Sequence, residues 1–122
     1  MSKILIVDDH PDIRHLMRLL LEHSHELVES SDGIDALAQA RRHRPEIMVL
    51  DVMMPGEMDG LQVLKTVKND PELKQTYVIM VTARGQESDL EFATRLGADA
   101  YFVKPFSPLA LASHIRRQLE HD

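Results

Sequence analysis

The stretch Lys3-Ile4-Leu5-Ile6-Val7-Asp8-Asp9-His10-Pro11 decides how this chain is read. Ile4-Leu5-Ile6-Val7 is four apolar residues bounded by polar ones, far short of a membrane span and read as a strand. It runs directly into two carboxylates. Pro11 then stands where a first helical turn tolerates proline, and Ile13, Leu16, Met17, Leu20 and Leu21 recur at helical spacing to line one face. A strand, an acidic turn and an amphipathic helix make one βα unit.

The same alternation continues to the far end of the chain. Short β-branched or apolar runs predict strands over 3–7, 26–29, 47–50, 77–81 and 100–103. Asp32 can cap a second helix carrying Ile34, Leu37, Ala38 and Ala40, which must stop before Pro45. A third helix spans about 61–67 with Leu64 on its face, entered from Asp59-Gly60. Leu90, Ala93 and Leu96 mark a fourth, with Gly97 as a left-handed terminator, and Ser107-Pro108 opens a fifth with Leu111, Ile115 and Leu119 inward. Five such units use up the chain. The expected fold is therefore α/β, a doubly wound, flavodoxin-like parallel sheet of five strands.

Composition bounds the rest. A chain of 122 residues with 43% hydrophobic and 28% charged residues has room for one soluble domain over 1–122 and none for an effector domain. Zero Cys and the absence of a long apolar run suit a cytoplasmic protein with no membrane segment. Fourteen basic against twenty acidic side chains give a net charge of -6, which argues against a direct grip on nucleic acid or anionic lipid.

The chemistry lies in the residues just after each strand. Asp8-Asp9 come after the first, Asp51 after the third, Thr82 after the fourth and Lys104 after the fifth. Open α/β sheets bind ligands at the carboxyl ends of their strands, where strand order reverses. With right-handed crossovers and a 2-1-3-4-5 order, Asp8, Asp9 and Asp51 share one small pocket, with Thr82 and Lys104 on its other side. Three crowded carboxylates repel one another, and a hard divalent ion resolves the conflict. Oxygen ligands suit Mg²⁺, with Mn²⁺ as the alternative ion. The metal can bridge a phosphoryl oxygen while Lys104 and the Thr82 hydroxyl bind the others, which leaves Asp51 as the best nucleophile. Taken singly, an Asp after a strand is usually a helix cap or a solvated turn. Agreement at four strand ends favours chemistry.

These residues resemble the receiver domains of bacterial two-component response regulators. The resembling stretches are Ile6-Val7-Asp8-Asp9, Val49-Leu50-Asp51-Val52-Met53-Met54-Pro55 with Met58-Asp59-Gly60, Val81-Thr82-Ala83, Gly97-Ala98-Asp99-Ala100-Tyr101 and Lys104-Pro105-Phe106, covering residues 4 to about 119. The resemblance implies that Asp51 accepts a phosphoryl group from a phosphohistidine on a sensor histidine kinase or histidine phosphotransfer protein. It implies Mg²⁺ bound by Asp9, Asp51 and the main-chain carbonyl of Met53, with Asp8 acting largely through water. Thr82 and Lys104 would contact the phosphoryl oxygens, and the Lys104-Pro105 peptide would be cis.

A switch is implied as well, in which Thr82 moves toward the phosphoryl group, the Tyr101 ring turns inward, and the signal emerges on the fourth helix, fifth strand and fifth helix. The alternative for Tyr101 is a half-buried edge tyrosine. The chain would receive and slowly lose its own phosphoryl group and not turn over a substrate in trans. Met53 and Arg84 lie near where the family tunes water access. The family usually has one residue between the proline and Met-Asp-Gly, whereas Gly56 and Glu57 both intervene here; the addition lies beyond Asp51 and Met53. A complete chain of this kind would signal through a partner recruited in trans, and a fragment would continue soon after Asp122.

Readings from other classes predict different residues. An Mg²⁺-dependent aspartyl phosphohydrolase would place a second Asp two residues after the first, at the position of Met53. A flavin mononucleotide carrier needs a Ser/Thr/Gly-rich phosphate loop where Asp8-Asp9-His10-Pro11 stand. Of seven histidines, His10 is expected to face solvent at the loop rim, with contact to the site as its alternative. His23 and His25 lack a third ligand for zinc, and His15, His43, His114 and His121 are scattered surface residues. The methionines read mostly as core filler, and Arg41, Arg42 and Arg44 as cations at a helix end.

Overall fold

Alternation along the central strands divides the molecule into two cores. In β1 (Ser2–Val7), β3 (Ile47–Asp51) and β4 (Tyr77–Ala83), successive side chains point to opposite faces of the sheet. Leu5, Val7, Met48, Leu50, Val78 and Met80 join one buried cluster, while Ile4, Ile6, Ile47, Val49, Ile79 and Val81 join the other. Burial on both faces explains why these strands read as continuous apolar runs and not as alternating ones. The computed structural model describes residues 2–83 and 87–120, the side chains of 87–89 excepted.

The remaining elements are α1 (Pro11–Leu21), β2 (His25–Ser30), α2 (Gly33–His43), α3 (Gly60–Asn69), α4 (Glu87–Leu96), β5 (Ala100–Lys104) and α5 (Pro108–Leu119). All strand pairings are parallel, in the order β2-β1-β3-β4-β5. The first face is covered by α2, α3 and α4 through Ala36, Leu37, Ala40, Val63, Leu64, Val67 and Ala93. The second is covered by α1 and α5 through Met17, Leu21, Leu111, Ala112 and Ile115. The expected doubly wound, flavodoxin-like sheet is the fold observed.

Local chemistry places the helix ends. Asp32 accepts from Asp35 N at 2.8 Å, and Ser107 accepts from Ala110 N at 3.1 Å. Asp59 and Gln62 form a reciprocal capping box, so α3 starts one residue before the expected Leu61 and runs on to Asn69. In α2, Ile34 and Ala38 lie on the open side, and Ala36 joins Leu37 and Ala40 inward. Gly97 takes a φ of 101° at the end of α4, as its left-handed role requires. No helix among the described residues is long and apolar enough to cross a membrane.

Every strand is longer than its apolar run suggested. The parallel ladder pairs Asp51 with Val81, Thr82 with Val103, and Ala83 with Lys104. Backbone pairing ignores side-chain polarity, so a polar residue that looked like the residue after a strand is its last rung.

Candidate functional site

Asp8, Asp51, Thr82 and Lys104 are carried by the ends of four strands, which makes their spacing a property of the sheet. Asp8 continues the β1 edge by donating its N–H to Ser30 O at 3.1 Å. Asp51 closes β3, Thr82 lies next to the last rung of β4, and Lys104 closes β5. The backbone behind Asp51 is crowded by α3. A Cβ at Gly60 would collide with the carbonyl oxygen of Asp51 and the Cα of Val52, so only glycine lets that helix begin so close.

Lys104 Nζ is 3.0 Å from Asp51 Oδ2 and 3.5 Å from Asp8 Oδ2. The other oxygen of Asp51 accepts the Met53 N–H at 3.1 Å. Asp8 and Asp51 are each only 3% exposed. Burial pushes the Asp51 carboxyl above the ordinary carboxylate value, opposed by the hydrogen bond from Lys104 and reinforced by the charge of Asp8. Burial alone would lower the Lys104 ammonium; the hydrogen bond to Asp51 and the charges of Asp51 and Asp8 outweigh it and hold lysine above its usual value.

Three carboxylates meet one ammonium, a surplus of negative charge that calls for a cation. Ligand atoms of Asp8, Asp9, His10 and Asp51 all lie within 4.8 Å of one another. Asp9 Oδ1 is buried and has no hydrogen-bond partner among the described residues. An orphaned buried carboxylate oxygen is costly, and its position among other oxygen donors fits a hard divalent ion.

Thr82 is fully buried, with Oγ1 3.5 Å from Ala83 O. Tyr101 is 38% exposed, and its hydroxyl is hydrogen-bonded to Thr94 Oγ1 on α4. The Met53 side chain is exposed, and the Lys104-Pro105 peptide is cis. Gly56, in the lengthened loop, has a φ of 97°, and a Cβ there would meet nothing within 4 Å. Arg84 and His121 lie outside the described residues.

Two residues do more than the sequence suggested. His10 is at the rim, its side chain 62% exposed, yet Nδ1 lies 3.0 Å from Asp8 Oδ1 and 3.2 Å from Asp9 Oδ1. The second approach lacks the alignment of a hydrogen bond, which leaves Asp9 Oδ1 orphaned. Arg14 donates to the main-chain oxygen of Asp8 at 2.6 Å and pairs with Glu29, which also pairs with Arg18. Arg14 and Arg18 are four apart on one helix face, a visible spacing, but their meeting with Glu29 depends on the β1–β2 pairing. His25 and His114 are partly buried and not plain surface residues, His114 Nε2 being 2.9 Å from the Tyr77 hydroxyl.

Known proteins share this fold. The family model described as the response regulator receiver domain matches residues 4–116. The transcriptional regulatory protein SrrA of Staphylococcus aureus is 41% identical over 119 residues, 97% of this chain and 48% of that protein. The chain spans about half the length of the curated relatives it matches. Among solved structures, the chemotaxis response regulator CheY4 of Vibrio cholerae is 32% identical with a TM-score of 0.86, covering 96% of this chain and 98% of that one. The Mn²⁺-bound form of the response regulator Rcp1 is 28% identical with a TM-score of 0.82, covering 96% and 91%. The chain belongs to the receiver domain family of two-component response regulators.

Proposed function

We propose that Asp51 is the phosphoryl acceptor of a signalling switch. The observation that carries this reading is a buried carboxylate at the end of the central strand, 3.0 Å from an ammonium and gathered with two further carboxylates. A carboxylate oxygen of Asp51 attacks the phosphorus of a phosphohistidine. The new O–P bond forms as the P–N bond breaks, and the electron pair stays on the donor imidazole. Lys104 and the Thr82 hydroxyl stabilise charge on the phosphoryl oxygens. A divalent ion, Mg²⁺ or Mn²⁺, would be held by Asp9, Asp51 and the Met53 carbonyl, with Asp8 acting through water, and would neutralise the crowded charge. The relative Rcp1, solved with Mn²⁺ bound, supports this class of ion.

The donor is a sensor histidine kinase or a histidine phosphotransfer protein, and water slowly returns Asp51 to its free state, with no turnover in trans. Output passes through α4, β5 and α5. Phe92, Tyr101, Val103 and Leu109 support that assignment, being four of the seven large apolar residues exposed among the described side chains. The test is incubation with Mg²⁺ and a small-molecule phosphodonor, read by intact mass. Wild type gains one phosphoryl group and Asp51→Ala gains none; a gain that survives the substitution would overturn the assignment.

A further inference from the structure

We infer that His10 is a nitrogen ligand in the acidic site, giving this receiver a higher affinity for borderline divalent ions of the Co²⁺ and Zn²⁺ class than its carboxylates alone would provide. The inference rests on the reading of Asp8, Asp9 and Asp51 as a divalent-cation site.

The spacing is the first argument. In an octahedral site with bonds of about 2.1 Å, neighbouring ligand atoms are about 3.0 Å apart. His10 Nδ1 lies 3.2 Å from Asp9 Oδ1, the spacing of two neighbouring ligands, and 3.0 Å from Asp8 Oδ1, a contact that is a hydrogen bond in the tautomer protonated at Nδ1. Lys104 approaches the opposite oxygens, Oδ2 of Asp8 and of Asp51, and leaves this side to the imidazole. The second argument is the orphaned Asp9 Oδ1, which faces His10 without a hydrogen bond from it. The backbone supplies the rest: His10 N donates to Asp8 Oδ1 at 2.9 Å, which holds the residue beside the pocket.

Ligation by Nδ1 requires the tautomer with its proton on Nε2. The ring is 62% exposed, so water can accept that proton. Imidazole favours Zn²⁺, Ni²⁺ and Co²⁺, whereas Mg²⁺ prefers oxygen and keeps its water. The nitrogen should therefore matter for one class of ion and not for the other. If His10 only orients Asp8 by hydrogen bonding, its loss must affect both classes alike.

The experiment is calorimetric titration of the metal-stripped full chain with Co²⁺ and separately with Mg²⁺ at about pH 7.5, where a free imidazole is neutral. Wild type, His10→Gln and Asp9→Ala are compared; glutamine keeps a hydrogen-bond donor and removes the imidazole. The expected result is a loss in Co²⁺ affinity of about tenfold or more in His10→Gln, with Mg²⁺ affinity changed by less than about twofold. Equal losses for both ions, or none for either, would overturn His10 as a ligand while Asp9→Ala still weakens Mg²⁺. Wild type that binds neither ion, or Asp9→Ala that binds Mg²⁺ normally, would instead overturn the divalent-site reading and the inference with it.

Discussion

At Asp51, burial raises the carboxyl while Lys104 pulls against it, so the residue is held between two strong and opposed effects. The neighbouring carboxylates tip the balance toward repulsion, since Lys104 is a single charge facing Asp8 and Asp51 together. A cation bound only by the native state must then stabilise the fold by mass action. At an Mg²⁺ concentration about a hundred times its dissociation constant, the gain should be about 2.7 kcal/mol. Urea denaturation with and without Mg²⁺ measures it, and chelator should remove it. In Asp9→Ala most of that increment should vanish, because the oxygen that has no hydrogen-bond partner among the described residues is gone. An undiminished response in this variant would exclude Asp9 as a ligand. Removal of crowded charge has a second consequence: without metal, Asp9→Ala should be no less stable than wild type, a reversal of the usual sign for a substitution at a partly buried polar residue.

Elements are tied together at the end of the sheet opposite the site. Lys68 on α3 donates to Thr76 O at 2.7 Å and to Asp99 Oδ2 at 2.8 Å, and the same Asp99 oxygen accepts the Val78 N–H at 2.8 Å. One helix, one strand and the turn before β5 thus share a single polar cluster. Lys68→Met keeps the stem and removes the donor, and should cost about 1–3 kcal/mol in denaturation experiments. A second element contact is sensitive to pH. Burial holds the His114 imidazole below the usual histidine value, with Arg117 adding to this, and the ring shares a hydrogen bond with the Tyr77 hydroxyl. A lowered native value means that the unfolded chain binds the proton first as pH falls. Stability is full above about 6.5 and is lost as pH falls from there through the lowered native value. His114→Gln should flatten the stability difference measured between about pH 7.5 and about pH 5.5, leaving the share of His25, which burial also lowers. An unchanged slope would exclude His114. Such contacts are hidden in the sequence, whereas the strands are plain, for a common reason. Apolar runs and caps are local, so Asp32, Asp59, Gly97 and Ser107 announce their roles within four residues. Lys68 meets Asp99 across 31 positions and Tyr77 meets His114 across 37, which only the fold brings about. The site is legible through Asp8, Asp9, Asp51, Thr82 and Lys104 because the ends of parallel strands converge by rule. His10 is harder to place from sequence because solvent exposure and contact with the site look exclusive, and a rim ring can have both.

Across the whole molecule, the site joins a rigid centre to a loosely held edge. Asp8 and Asp51 extend from or belong to central strands buried on both faces, while Lys104 belongs to β5, which pairs on one side only. Beside it, Ala93 is the only buried residue among the described side chains of α4, with Leu96 partly buried against the same core. A change of charge at Asp51 therefore meets resistance on the β1 side and less on the α4 side. Thr82 is the connection: it is fully buried at the end of β4, its rung pairs with Val103, and two rungs earlier Met80 pairs with Tyr101. If Thr82 is drawn toward a phosphoryl group, Tyr101 should leave its hydrogen bond with Thr94 and turn inward. The chain has two tyrosines, so fluorotyrosine labelling gives two resonances, Tyr77 lying at the start of β4, three residues before the rung that carries Tyr101. On treatment with Mg²⁺ and phosphodonor, the Tyr101 resonance should shift in a fraction of molecules equal to the phosphorylated fraction by mass. In Thr82→Ala the mass gain should persist in part while the Tyr101 shift is lost. A Tyr101 resonance that stays put in phosphorylated wild type, or moves equally without Thr82, would mean that the edge responds by some route other than β4.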